Sequence, residues 1–363
     1  MEKNNNIFLR LGFFRPIAFS KKGLLLYKKN KLYFYESGII RFFKRIKIGG
    51  LRGFLSFSRF TTRIMHRYVY CGISSSVTDY IYFAANNGVY SINTKNELKK
   101  IFSFRHLDMH RPLSFFEIKD VNGFSDCIVF GDYSYNKERH SMSIYSIVED
   151  KVNPVYTFPS KTIRHIHSII PDKFNNRVLV FTGDKDEECA IWESKDNFST
   201  INPVFKGKQA YRFCVGRAYS DGVVMVTDSP FDENNVYKLT SDNKIVKLFK
   251  IQGPAVFFSY YNDKLVFATD VENDEKSLSF FEEFFINKKG DGVLDDFSHV
   301  YIYDNVSTKL KEICRFKKDC LPMRIFGFGT VHFPPVQEGN KLFMFPMSVK
   351  KHDQSLLCLE DNL

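Results

Sequence analysis

The sequence predicts an all-β fold, a seven-bladed β-propeller with four-stranded antiparallel blades, and three observations carry that expectation. A strand–turn–strand pattern recurs along the 363 residues, its central strands beginning near Tyr80, Cys127, Arg177, Val223 and Lys264. The interval is about 41–50 residues, the length of one propeller blade. Aromatic residues make up 16% of the chain, 39 Phe and 19 Tyr against one Trp, and such residues favour strands and bury large areas. Helical periodicity is nearly absent. KSLSFFEEFFI at 276–286 is the one short helix expected, inside an insertion at 276–298.

Taken in order, GLLLYKKNKLYFYESGIIRFF (23–43) supplies the first blade, over 18–50. VTDYIYFAANNGVYSI (77–92) marks the second, 61–104, and FSDCIVFGDYSYNKERHSMSIYSI (124–147) the third, 111–158. FNNRVLVFTGDKDEECAIWES (174–194) marks the fourth, 162–205, and YSDGVVMVTDSPFDENNVYKL (219–239) the fifth, 209–250. YNDKLVFATDVENDEKSLSFF (261–281) begins the sixth, 254–316, and EGNKLFMFPMSVKKHDQSLLCL (338–359) belongs to the last, 320–360. The whole of 1–363 then reads as one propeller domain. A β-sandwich or a multi-sheet α+β fold is the rival arrangement. In the fourth blade the strands fall at 163–170, 177–183, 189–194 and about 200–205. The first would line the central channel, and loops on so rigid a scaffold are where function gathers.

Net charge is +11, from 52 Lys and Arg against 41 Asp and Glu. That balance suits an anionic partner or a well-solvated surface; the lysines occur in scattered pairs rather than one block. No nucleic-acid partner is expected, because no RNP, zinc-finger or helix-turn-helix pattern occurs. Phosphate loops and dinucleotide fingerprints are absent too. Seven cysteines, an odd number with no CxxC pair, argue for a reducing compartment. The N-terminal stretch lacks a signal-peptide core and no run of 18 apolar residues occurs, so a cytoplasmic location without a transmembrane segment is expected. No oligomeric state can be read.

CAIWESKDNFSTI (189–201) contains Ser194-x-Asp196-x-x-x-Thr200, which resembles the Asp-box, S-x-D-x-G-x-T-W, of sialidase-like BNR propellers. Asn197-Phe198 stands where the family has its turn glycine, and Asn tolerates the left-handed region. FGDYSYNKER, RHIHSI, TGDKDEE, QAYR and TDSP extend the similarity over about 125–240, to a bacterial group of such proteins. The resemblance implies the propeller fold and an association with bacterial glycans, with the Asp-box as a structural turn. Sialidases also carry an arginine triad and an R-I-P opening; Arg15-Pro16 is the nearest counterpart, so sialidase activity is not implied.

The polar residues gather at equivalent blade positions. Asp132, Tyr133, Asn136 and Arg139 follow the second strand of the third blade. Arg164, His165, His167, Asp184, Asp186, Glu187 and Glu188 belong to the fourth, Gln209, Tyr211, Arg212 and Asp228 to the fifth, and His332 to the last. Side chains alternate along a strand, so His165 and His167 should share a face and Arg164 should point the other way. The pair suits acid–base catalysis or ligand binding, channel lining, or a divalent metal with Asp184 as third ligand. The expected catalytic set is His165, His167, Asp132, Tyr133 and Asp184, with no cofactor required. Substrate binding falls to Asn136, Arg139, Arg164, Glu188, Gln209, Tyr211, Arg212, Asp228 and His332. Arginines can grip a sugar carboxylate or instead pair with nearby acids, and Asp184, Asp228 and Asp270 can simply cap turns. An acidic bacterial poly- or oligosaccharide is the expected partner, cleaved by hydrolysis through paired carboxylates or by lyase elimination. The alternative is a non-catalytic scaffold or glycan-binding module in envelope polysaccharide assembly. An enzyme should bring His165, His167, Arg139, Arg212 and at least one acid together.

Overall fold

Strands form where the apolar residues are continuous, and their position in each blade follows from how continuous they are. Val178, Leu179, Val180 and Phe181 are each 0% exposed, as expected of a strand covered on both faces. Two strands further out in the same sheet, Asn202–Lys206 holds only exposed and half-buried residues. The same gradient separates Gly222–Thr227, buried throughout, from Ile245–Lys250. Burying one such side chain contributes about 1.5–3 kcal/mol, so the second strand anchors each blade.

The computed structural model describes residues 7–46, 61, 63, 64, 69–85, 88–104, 111–273 and 288–360. The first strand is β1 (Ile7–Gly12). The first blade is β2 (Arg15–Ser20), β3 (Gly23–Lys28), β4 (Lys31–Glu36) and β5 (Ile39–Arg45). The second is β6 (Val69–Ser74), β7 (Ile81–Ala85), β8 (Gly88–Ile92) and β9 (Leu98–Ser103). The third is β10 (Phe115–Ile118), β11 (Cys127–Gly131), β12 (Met142–Val148) and β13 (Lys151–Phe158). The fourth is β14 (His165–Asp172), β15 (Arg177–Gly183), β16 (Ala190–Ser194) and β17 (Asn202–Lys206). The fifth is β18 (Phe213–Tyr219), β19 (Gly222–Thr227), β20 (Asn235–Leu239) and β21 (Ile245–Lys250). The sixth is β22 (Ala255–Tyr261), β23 (Lys264–Thr269), β24 (Phe297–Asp304) and β25 (Lys309–Lys317). The last comprises β26 (Thr330–His332), β28 (Lys341–Met347), β29 (Ser355–Glu360) and β1, while β27 (Val336–Gln337) pairs in parallel with β22. The fold is a seven-bladed β-propeller.

By contact the chain divides into two units. Met1–Val69, Ser229–Asn234 and Lys250–Leu363 form one, with the first, sixth and last blades. In it Leu24 and Leu26 pack with Phe343, Phe345, Met347, Leu356 and Cys358. Tyr70–Asp228 and Asn235–Phe249 form the other, with the second to fifth blades. Its core includes Phe130 stacked on Tyr145 at 5.0 Å. The single Trp192 is buried, and its indole N–H donates to Thr182 Oγ1 at 2.9 Å.

Three boundaries differ from the sequence reading. The first blade begins at Arg15 rather than residue 18. The N-terminal segment, to which no strand was assigned, is the outer strand of the last blade, with Ile7 opposite Leu359 and Gly12 opposite Ser355. It is only six residues long and stands apart from the strand–turn–strand repeat, so the repeat alone hides it. The fourth blade's inner strand runs two residues later than expected. Within the 276–298 insertion, the helix expected at 276–286 lies outside the described residues, and β24 begins at Phe297. In the turn after β16, Asn197 and Phe198 have φ of 53° and 64°. Asp196 accepts from Thr200 N–H at 2.9 Å and Thr200 Oγ1 at 2.7 Å.

The β1–β29 pairing yields a test. Removing residues 1–12 leaves β29 as an open edge with buried Leu356 and Leu357 losing their cover. The melting temperature should fall by at least ~5 °C, read by circular dichroism, with loss of monodispersity on size exclusion. An unchanged melt would show β1 to be dispensable.

Candidate functional site

The innermost strands carry a bulge that decides what reaches the site. In β14 the register slips between Ile166 and Ser168, leaving His167 unpaired, and in β18 it slips between Phe213 and Val215, leaving Cys214 unpaired. β2 and β22 slip at the corresponding place. A bulge re-aims the side chain of its extra residue. By register His167 and Cys214 are therefore equivalent, as are His165 and Arg212. Ile166 faces Thr182 and Phe213 faces Thr227, so Gly183 occupies the place of Asp228 and Asp184 lies one residue beyond. A Cβ on Gly183 would sit 2.5 Å from His167 Cε1 and 3.1 Å from Arg212 Cγ. The imidazole thus occupies space that only glycine leaves.

Asp184 is the centre of the cluster. Arg164 Nη1 donates to its Oδ2 at 2.5 Å, and Arg212 Nη2 lies 3.2 Å from its Oδ1. His165 Nε2 and His167 Nε2 lie 3.3 and 3.4 Å from the same Oδ1, and 3.0 Å from each other. His165 and His167 are each 3% exposed, while the Asp184 side chain retains 13%. Burial by itself would push Asp184 up, but His165 and Arg212 overcome it and hold the carboxyl well below the usual range. Burial pulls His167 down, against the pull of Asp184. The Tyr133 ring stacks on His165 at 4.2 Å, and burial drives its hydroxyl well above the ordinary phenol value.

Beside this cluster, Cys214 Sγ donates to Asp228 Oδ2 at 3.2 Å, and Arg212 Nε lies 3.5 Å from the same oxygen. Asp228 Oδ1 is buried with no hydrogen-bond partner. Burial raises Asp228 in spite of Arg212, and burial with Asp228 raises the Cys214 thiol. Two groups have ligand atoms close enough for a metal ion: His165, His167 and Asp184, and His167, Cys214 and Asp228.

The remaining predicted residues divide. Gln209 Nε2 donates to the Asp184 carbonyl at 2.7 Å and so supports the centre. Arg164, expected to point away from the histidines, instead precedes β14 and reaches Asp184. Strand alternation does not bind a residue outside the strand, and its guanidinium also lies over Tyr135 at 4.6 Å. The Asp132 carboxylate accepts from Ser143 N–H at 2.9 Å, and Asn136 clips the loop through His140 and the Arg164 carbonyl. Arg139 is held by Glu188, so of the set expected of an enzyme it alone is engaged elsewhere. Tyr211 packs on Phe205 at 5.4 Å. His332 belongs to the other unit, where its Nδ1 lies 3.0 Å from Arg15 Nη2 and its ring 3.8 Å from Phe257. Cys214 is absent from the residues the sequence predicts for the site. The signal that could have placed it is its register with His167, which only the bulge makes visible.

No family model and no curated protein matches the chain. Solved structures of similar fold include a chain of the Mitotic Checkpoint Complex (7% identity, TM-score 0.56, covering 99% of this chain and 96% of that one). An oligogalacturonate lyase in complex with manganese is similar at 10% identity and a TM-score of 0.56, over 97% of this chain and 90% of that one. The WD40 β-propeller domain of Doa1 shares 10% identity and a TM-score of 0.51, over 98% and 97%. These likenesses establish the propeller class and nothing narrower.

The site predicts its own sensitivity. Gly183→Ala should displace the His167 ring and destabilise the protein by about 1–3 kcal/mol, the range of core overpacking, measured by urea denaturation. Gly207→Ala, where nothing lies within 4 Å but φ is +97°, separates backbone strain from this clash. If both variants lose the same stability, the steric argument fails.

Proposed function

We propose that this propeller binds an acidic poly- or oligosaccharide and cleaves it by elimination. The observation that carries this reading is the convergence of two imidazoles and two guanidiniums on one partly exposed carboxylate, with the Tyr133 ring stacked on one imidazole. In the proposed step a basic group of the cluster takes the proton from the carbon beside the uronate carboxyl. The freed electron pair becomes a carbon–carbon double bond, the C–O bond to the leaving sugar breaks, and Tyr133 supplies that oxygen with a proton. Arg164 and Arg212 neutralise the uronate carboxylate. Hydrolysis is less favoured, since Asp132 and Glu188 are committed to Ser143 N–H and Arg139 and form no carboxylate pair with Asp184. A propeller of similar fold that is an oligogalacturonate lyase offers a precedent for such a substrate. The glycan association implied by the Asp-box resemblance supports the same class. Seven free cysteines suit a reducing, cytoplasmic setting. Among the described residues no helix is long and apolar enough to cross a membrane.

One observation favours the second reading, a non-catalytic scaffold in envelope polysaccharide assembly. Arg139, Arg164 and Arg212 are all paired with protein carboxylates, so a ligand carboxylate must compete with Asp184. The discriminating assay incubates the chain with uronate-containing oligosaccharides and follows the ultraviolet absorbance of an unsaturated product. His167→Gln and Tyr133→Phe should each lower the rate ~100-fold or more with the melt retained. Glycan binding without product would leave a binding module, and neither binding nor product would leave the scaffold.

A further inference from the structure

The hydrogen bonds behind the two imidazoles constrain what lies between them. His165 Nδ1 is 2.8 Å from the Ser134 carbonyl oxygen, and His167 Nδ1 is 3.1 Å from the Phe213 carbonyl oxygen. A carbonyl oxygen only accepts, so both Nδ1 atoms carry hydrogen, and each ring when neutral presents a lone pair at Nε2. Those lone pairs face each other at 3.0 Å and face Asp184 Oδ1 at 3.3 and 3.4 Å. Three electron-rich atoms in one small triangle repel unless something positive lies among them. The two edges to Asp184, at 3.3 and 3.4 Å, also have a familiar size, and the 3.0 Å edge between the imidazoles is slightly shorter. A tetrahedral ion bonded at about 2.0–2.2 Å holds its nitrogen and oxygen ligands roughly 3.3–3.5 Å apart.

We propose that His165 Nε2, His167 Nε2 and Asp184 Oδ1 form a binding site for one divalent first-row transition-metal ion, with zinc as the type case. Imidazole and carboxylate ligands suit that class of ion. The three protein ligands leave further positions for water or a ligand oxygen, the pattern of an open rather than a structural site. An outer shell is in place: each imidazole donates its other N–H to a backbone carbonyl, and Arg164 and Arg212 orient the carboxylate. The two guanidiniums oppose the ion's charge. Asp184 offsets part of this, as does Asp228, whose unpartnered, buried Oδ1 belongs to a carboxyl beside His167. Asp184 keeps partial exposure, which gives the ion a way in.

A single proton shared by the two Nε2 atoms would also relieve the triangle, and the experiment separates the two. The full chain is stripped with a chelator and titrated with Zn²⁺ by calorimetry and with Co²⁺ by visible absorption, with no sugar present, so the result is independent of the glycan reading. The expected result is one ion per chain and ligand-field bands of a four- or five-coordinate nitrogen–oxygen site. His165→Gln, His167→Gln and Asp184→Asn should each weaken binding ~100-fold or more, whereas His140→Gln, at an exposed position, should not. Circular dichroism of the metal-free variants establishes which are folded, and any one folded ligand variant suffices. Failure of the native chain to bind either ion overturns the proposal, as does undiminished binding in folded Asp184→Asn. A thiolate-to-cobalt band lost in Cys214→Ser also overturns it, because the ion would then sit with His167, Cys214 and Asp228.

Discussion

Everything at the site depends on one largely buried carboxylate kept ionised. Asp184 has given up most of its water, and a lone buried carboxylate would take up a proton. Instead Arg164 and Arg212 supply charge-assisted bonds and His165 and His167 approach the remaining oxygen. The arrangement is expensive to break from any side, since removing one partner leaves an uncompensated charge in a poorly solvated place. It joins the fourth and fifth blades through groups that are also the chemically useful ones.

The scaffold makes this possible by a repeated irregularity. A bulge at the same place in β2, β14, β18 and β22 gives each inner strand one residue outside the ladder. In the fourth blade that residue is His167 and in the fifth Cys214, so one backbone device presents an imidazole in one blade and a thiol in the next. Gly183 completes it, because its missing side chain is the volume into which the imidazole turns. Asp184 is thereby displaced one position along the chain from its counterpart Asp228. One aspartate ends up exposed enough to meet a ligand and the other sealed behind a thiol.

Much of this was legible in the sequence and the rest was not, for definable reasons. The blade repeat was readable because the second strands, such as Arg177–Gly183, are continuous apolar runs that recur at a steady interval. The pairing of His165 and His167 was readable from alternation, and Asp184 from the loop that follows. Alternation failed at Arg164, which lies just outside its strand, and could not reveal the bulge that makes Cys214 the counterpart of His167. Charge pairing was invisible as well. Arg139 and Glu188 are 49 residues apart in sequence, and nothing in their neighbours' composition shows that they neutralise one another.

The last blade draws one strand from the beginning of the chain and three from its end. During synthesis β1 emerges first, yet its partner β29 is made some 340 residues later, so β1 must stay unpaired while the six blades between them form. At about 5–20 residues per second that wait lasts tens of seconds. An open strand is a template for pairing with another chain. Ile7–Gly12 carries four apolar residues and one arginine, so until its place exists the charge of Arg10 is what opposes such pairing.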